Sequence, residues 1–123
     1  MMRVLYVEDD PMNRRVMQAM LSSSGAEMTG AVDGQAGLDA IEGGDFDVVL
    51  MDLRMPGMDG LTAIRRIRER GDNKARLPII VVTADTAPSL REDCLGTGAD
   101  EVLYKPVVVK SLFATIGQVL ARR

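Results

Sequence analysis

The stretch VVLMDLRMPGMDG, residues 48–60, sets four apolar residues, Val48 to Met51, directly against a carboxylate, Asp52, and then breaks at Met55-Pro56-Gly57. An uninterrupted apolar run of this length marks a parallel strand covered on both faces. Two more such runs occur, Val4-Leu5-Tyr6-Val7 and Pro78-Ile79-Ile80-Val81-Val82. Parallel strands need long crossovers, and amphipathic stretches stand in the gaps between the runs. A helix is predicted from about Pro11 to Ser23, with Met12, Val16, Met20 and Leu21 at helical spacing. Asp10 caps it, proline opens it and Gly25 stops it. A weaker strand, Glu27 to Ala31, leads to a helix from about Asp33 to Gly43-Gly44. A third helix, Leu61 to Arg70, aligns Leu61, Ile64 and Ile67 on one face, and a short one runs from Pro88 to Leu95. Glu101 to Tyr104 is a fifth strand. The last helix, Val109 to Leu120, turns Leu112, Phe113, Ile116, Val119 and Leu120 inward. Right-handed crossovers wind such βα units into a doubly wound α/β sandwich of three layers, here one domain over residues 1–123.

Composition narrows the chemistry. At 123 residues, the chain can bury roughly two thirds of its unfolded surface without metals or disulfides. With 46% hydrophobic and 27% charged residues it is globular in character. A net charge of −3 argues against nucleic-acid and anionic-membrane binding. There is no histidine, which excludes a histidine base, nucleophile or metal ligand. No tryptophan, two Phe and two Tyr leave little for stacking on bases. Cys94 has no cysteine partner, and no apolar run approaches the ~18 residues that span a bilayer. The opening MMRVLYVEDD lacks a signal-peptide pattern, so the expected location is cytoplasmic. The nine methionines read as core filler. The basic run RRIRERGDNKAR, residues 65–76, is interrupted by Glu69 and Asp72 and reads as a solvated helix face.

In doubly wound sheets, ligands collect beyond the carboxyl ends of the strands. Strand one ends at Glu8, Asp9 and Asp10, strand three at Asp52, strand four at Thr83, and strand five at Lys105. These groups share one edge of the sheet. Carboxylates a few ångströms apart repel by roughly 4 kcal/mol per pair at an effective dielectric near 20, so Glu8, Asp9 and Asp52 call for a counter-charge. Oxygen donors without His or Cys point to Mg2+. Asp10 and Asp59 read as helix caps instead of ligands, and Pro56-Gly57 as a turn. The chemistry this set suits is attack by the Asp52 carboxylate on phosphorus, with Thr83 and Lys105 binding the phosphoryl oxygens.

The four motifs VLYVEDD, VVLMDLRMPGMDG, IIVVTAD and GADEVLYKP, in this order and spacing, resemble the receiver domain of two-component response regulators over essentially the whole chain. The resemblance implies a flavodoxin-like (βα)5 fold with strand order 2-1-3-4-5. It makes Asp52 the phospho-acceptor, Glu8, Asp9, Asp52 and the Arg54 backbone carbonyl the Mg2+ site, Thr83 the switch hydroxyl and Lys105 the phosphate-binding lysine before a cis Pro106. Such domains are phosphorelay signalling switches, not enzymes. They take a phosphoryl group from a histidine kinase, a histidine phosphotransfer protein or acetyl phosphate, and change shape around helix four, strand five and helix five. They then act on an effector protein or a fused output domain, in some cases as a phosphorylation-dependent dimer.

Two features set this sequence apart, one at Val102 and one at the Arg54 and Asp85 pair. The place three residues before Lys105 commonly holds an aromatic or histidine that turns inward, and here it is Val102, so either Tyr104 takes part of that role or activation works by loop ordering around Thr83 alone. Arg54 and Asp85, two residues past Asp52 and Thr83, carry opposite charges, and the pair, or Arg54 alone, is expected to form a gate against hydrolytic water. Three alternatives share some of these features. A haloacid dehalogenase-like phosphatase also uses an Asp nucleophile, but its second acid would stand at Arg54. A flavodoxin-like redox module would need a Ser/Thr/Gly-rich phosphate loop after strand one. A receiver-like module that only binds partners would not need the full acidic set. A stand-alone receiver and a piece of a longer regulator or hybrid kinase both fit this sequence.

Overall fold

The computed structural model describes residues 1–122. Its elements are β1 (Arg3–Val7), α1 (Pro11–Ser22), β2 (Glu27–Ala31), α2 (Gly34–Gly43), β3 (Val48–Met51), α3 (Gly60–Arg68), a 3-10 turn (Asn73–Arg76), β4 (Ile79–Thr83), α4 (Leu90–Thr97), β5 (Glu101–Tyr104) and α5 (Val109–Ala121). The strands form one parallel sheet in the order β2-β1-β3-β4-β5.

Side chains alternate across the sheet and build two cores. On one face Leu5, Val7, Val49, Met51, Ile79, Val81 and Val102 pack against Ile41 of α2, Ile64 and Ile67 of α3 and Cys94 of α4. On the other, Val4, Tyr6, Leu50, Ile80 and Val82 pack against Met17 and Leu21 of α1 and Leu112, Ile116 and Val119 of α5. Each such side chain contributes roughly 1.5–3 kcal/mol through burial, which is why β1, β3 and β4 read as unbroken apolar runs. Phe113 and Leu120 flank the α5 contact, partly buried. Seven of the nine methionines are packed in or against the cores: Met17, Met51 and Met55 buried, Met2, Met20, Met28 and Met58 partly so.

Some local details differ from the sequence expectation. On α1 the sheet takes Met17 and Leu21, while Met12 and Val16 stay exposed. Apolar residues surround much of this helix, so spacing alone admits more than one inward face, and only contact with β1 and α5 selects it. Helix α3 stops at Arg68, and the 3-10 turn before β4 has no apolar period to announce it. Helix α4 begins at Leu90, after Ser89 in the cap position, and runs to Thr97, where Gly98 at φ 129° ends it.

Candidate functional site

Strand register sets the site. Val7 lies beside Met51, and Met51 beside Val81, so the first residues past these strands come together at one edge. The Asp52 amide donates to the Val7 carbonyl (3.0 Å) and the Lys105 amide to the Thr83 carbonyl (2.8 Å), which carries the pairing one residue further. The result is an open cleft of about 480 Å3 lined by Glu8, Asp9, Asp52, Arg54, Thr83 and Lys105 together with Asp10, Asn13, Ala84 and Asp85. All the site residues expected from sequence share this cleft.

The turn behind Asp52 makes that geometry possible. Gly57, at φ 78°, follows Pro56 in the pairing that suits a type II turn. The chain then doubles back so closely that a Cβ on Gly60 would overlap the Asp52 carbonyl oxygen and lie 2.8 Å from Leu53 Cα. Asp59 caps α3 by accepting from the Thr62 amide (2.8 Å), and Asp10 caps α1 by accepting from the Met12 amide (2.8 Å). Both acids are thus committed to helix starts.

Inside the cleft, Glu8 is almost wholly buried at 1% exposure and Asp52 at 5%. Lys105 Nζ donates to Glu8 Oε1 at 2.8 Å and stands 3.5 Å from Asp52 Oδ1. Glu8 Oε1 also accepts from the Tyr6 hydroxyl (3.1 Å) and Asn13 Nδ2 (3.1 Å), and Oε2 from the Asp10 amide (3.3 Å). Asp52 Oδ1 accepts from the Leu53 amide at 2.9 Å. Burial, followed by the hydrogen bond and charge of Glu8, pushes the Asp52 carboxyl up to about 6. Burial works in the same sense on Glu8, but hydrogen bonds from Lys105, Asp52 and the Asp10 amide outweigh it and bring that carboxyl down to about 2. The two acids share a site and titrate as a pair, with the proton favoured on Asp52. Burial pulls Lys105 down, and Glu8 with Asp52 more than offsets it, so its ammonium is held above the ordinary range.

At the rim, Thr83 is buried and its hydroxyl accepts from the Asp85 amide (3.1 Å). Arg54 Nη2 reaches Asp85 Oδ2 at 2.9 Å, with the Arg54 side chain 80% exposed. Val102 is already buried among the residues facing α4, while Tyr104, beside Thr83 in the strand register, is exposed.

Glu8, Asp9 and Asp52 each offer a carboxylate oxygen, and these oxygens lie within 4.8 Å of one another. The donor set is all oxygen, part exposed and richer in negative charge than Lys105 can balance, which fits a hard divalent cation. Spacing and motif do not single out Tyr6 or Asn13 in the sequence. A signal existed for Tyr6, since a hydroxyl inside a buried strand needs a partner. For Asn13 only the folded helix start reveals the reach to Glu8.

Among the described residues no helix is long and apolar enough to cross a membrane. Residues 4–117 match the family described as the response regulator receiver domain. The sensor protein GacS of Pseudomonas syringae pv. syringae is 39% identical over 89% of the chain, which spans 12% of that relative. The response regulator MprA of Mycolicibacterium vanbaalenii is 38% identical over 98% of the chain, which spans 51% of it. The chain therefore covers at most about half the length of these relatives. Among solved structures, the receiver domain of sensor histidine kinase PA1611 from Pseudomonas aeruginosa PAO1 superposes with a TM-score of 0.88. It shares 37% identity, covers 98% of each chain and has a magnesium ion coordinated in its active site cleft.

Proposed function

The chain belongs to the response regulator receiver domain family of two-component systems, and on that footing we propose that Asp52 is its phosphoryl acceptor and that residues 1–123 act as one receiver domain. The observation that best supports this is the Asp52 carboxylate, which opens on the cleft between an ammonium 3.5 Å away and two further acids. An Asp52 oxygen attacks the phosphorus of a phosphohistidine on a kinase or phosphotransfer protein. An O–P bond forms as the P–N bond breaks, and the electron pair stays on the imidazole nitrogen. With acetyl phosphate the P–O bond breaks instead and acetate departs. The product is an acyl phosphate.

Glu8, Asp9, Asp52 and the Arg54 backbone carbonyl would hold Mg2+, which supplies positive charge beside the transferring group. Lys105 binds a phosphoryl oxygen from the other side. The Thr83 hydroxyl donates to a second, drawing the Ala84–Asp85 segment and α4 with it. Val102 is already inside and has no second position to swing to, so Tyr104 carries part of the response on the α4–β5–α5 face. Tyr104→Ala is expected to weaken phosphorylation-dependent shifts of α4 amides. The altered face meets an effector protein, an output domain or a second copy of the chain, in the cytoplasm. The dehalogenase-like alternative has no support at position 54, where an arginine pairs with Asp85 in place of an acid.

Incubation with acetyl phosphate and Mg2+ followed by intact mass spectrometry tests the reading. One phosphoryl group per chain that persists after the donor is removed is expected. Continuous release of phosphate with no retained adduct would favour a phosphatase.

A further inference from the structure

Glu8 Oε1 accepts three donors at once, and only one of them is charged. Lys105 Nζ stands at 2.8 Å, the Tyr6 hydroxyl at 3.1 Å and Asn13 Nδ2 at 3.1 Å. Tyr6 sits two residues before Glu8 on the same side of β1, with its ring packed in the core beneath α1 and α5. Asn13 projects from the first turn of α1. We infer that Tyr6 and Asn13 are positioning residues for phosphoryl transfer: they hold the Glu8 carboxylate in place when Lys105 leaves it for the phosphoryl group on Asp52. The inference rests on Asp52 being the acceptor.

The physical reason is a change in what Lys105 faces. In this structure it is closer to Glu8 than to Asp52, whose nearest oxygen is 3.5 Å away. A phosphoryl group on Asp52 brings a charge of about −1.5 to −2 and three acceptor oxygens. The ammonium is drawn toward it, and Glu8, at 1% exposure, stays behind in a site that water barely reaches. A buried carboxylate deprived of its donors is costly. The Tyr6 hydroxyl and the Asn13 amide remain on Oε1 and the Asp10 amide on Oε2, so the carboxylate keeps its place beside the Mg2+ it would help to hold. Each neutral donor is worth more once Lys105 has gone, because fewer donors then share the charge. Its loss therefore falls on the transferring and phosphorylated states more than on the resting one.

The test compares wild type, Tyr6→Phe, Asn13→Ala, Glu8→Gln and Tyr6→Phe combined with Glu8→Gln. The readouts are the rate of Asp52 phosphorylation by acetyl phosphate at saturating Mg2+ and the dissociation constant for beryllofluoride measured by NMR. Tyr6→Phe retains the ring, and thermal unfolding checks that the core survives. Tyr6→Phe is expected to slow phosphorylation and weaken beryllofluoride binding about tenfold, the low end for one donor lost from a charged group. Asn13→Ala is expected to act in the same direction. In the Glu8→Gln background, Tyr6→Phe should shift beryllofluoride binding less than about twofold, because no carboxylate remains to be held. A wild type phosphorylated at Asp52, with Tyr6→Phe equal to it, would overturn the inference and leave the functional reading standing. Equal losses with Glu8 and with Gln at position 8 would also overturn it, since they would show a packing role. A wild type that acquires no phosphoryl group at Asp52 would remove both.

Discussion

Two ends of the same sheet carry dense charge and treat it in opposite ways. At the amino ends of β4 and β5, Arg68 donates to the carbonyls of Gly98 (2.9 Å), Ala75 (2.9 Å) and Leu77 (2.6 Å) and to the Asp100 carboxylate (3.1 Å). Asp100 in turn accepts from the Ile79 amide at 2.8 Å. Nearby, Lys74 donates to the carbonyls of Ile41, in the last turn of α2, and Gly44, just beyond it, and Arg70 pairs with Glu42 and Asp72. At the carboxyl ends, by contrast, Glu8, Asp9 and Asp52 crowd one ammonium, and Asp52 is pushed up to about 6. The first end is balanced and ties loops together. The second is left with surplus negative charge facing an open cleft. Imbalance at a strand end, more than the number of charges, separates the candidate site from the structural clasp.

Substitutions at the two ends should separate these roles. Lys105→Ala leaves the Glu8 carboxylate buried without its cation and is expected to cost about 3 kcal/mol in urea unfolding, because breaking one side of a buried pair strands the other. Added Mg2+ should recover part of that loss, and acyl phosphate formation should be impaired. Arg68→Ala removes donors from three carbonyls and a carboxylate and is expected to cost about 2 kcal/mol. It should leave the acyl phosphate yield from acetyl phosphate unchanged. Equal effects of both variants on phosphorylation would erase the distinction between the two ends.

The next effect depends on pH. The folded Asp52 carboxyl is raised to about 6, so folding favours its protonated form. The stability this gives is fully present below about pH 4, the unfolded carboxyl's range, and is lost as pH rises through about 6. Asp52→Asn removes that ionisation. In EDTA the variant should be more stable than wild type by roughly 2 kcal/mol at pH 7, a gain that closes below about pH 4. Denaturant melts at several pH values check this, and a gain independent of pH would contradict it.

The smallest effect lies at the rim. Arg54→Ala opens the Arg54–Asp85 pair over the cleft. It is expected to speed hydrolysis of the acyl phosphate about two- to threefold, within the scale of about 0–1 kcal/mol for an exposed pair. Loss of the phosphoryl group followed by mass spectrometry measures it, and an unchanged rate would dispose of the gate.

Most of the carboxyl-end site was legible because strands end where apolar runs stop, and the residue at each stop is chemically conspicuous. Glu8, Asp52, Thr83 and Lys105 announce themselves in this way. The weak strand Glu27–Ala31 was also legible, from its place between two helices, and it pairs with β1 at the sheet edge. The amino-end clasp was much less visible. Arg65 and Arg66 are exposed, as a solvated helix face requires, but Arg68, Arg70 and Lys74 turn back onto carbonyls and acids contributed from distant segments. Spacing cannot show such partners. The same limit hid the inward face of α1, where Met17 competes with Val16 for the core, and the reach of Tyr6 and Asn13 to Glu8.

On the proposed reading, convergent strand ends make one particular carboxylate, Asp52, nucleophilic toward phosphorus. Borohydride reduction after treatment with acetyl phosphate and Mg2+, followed by tandem mass spectrometry, tests it at the level of the atom. Reduction of the side chain is expected at Asp52 alone, and none in Asp52→Asn. A reduced side chain at Asp9 or Glu8 instead, or no reduced residue in folded protein, would contradict it.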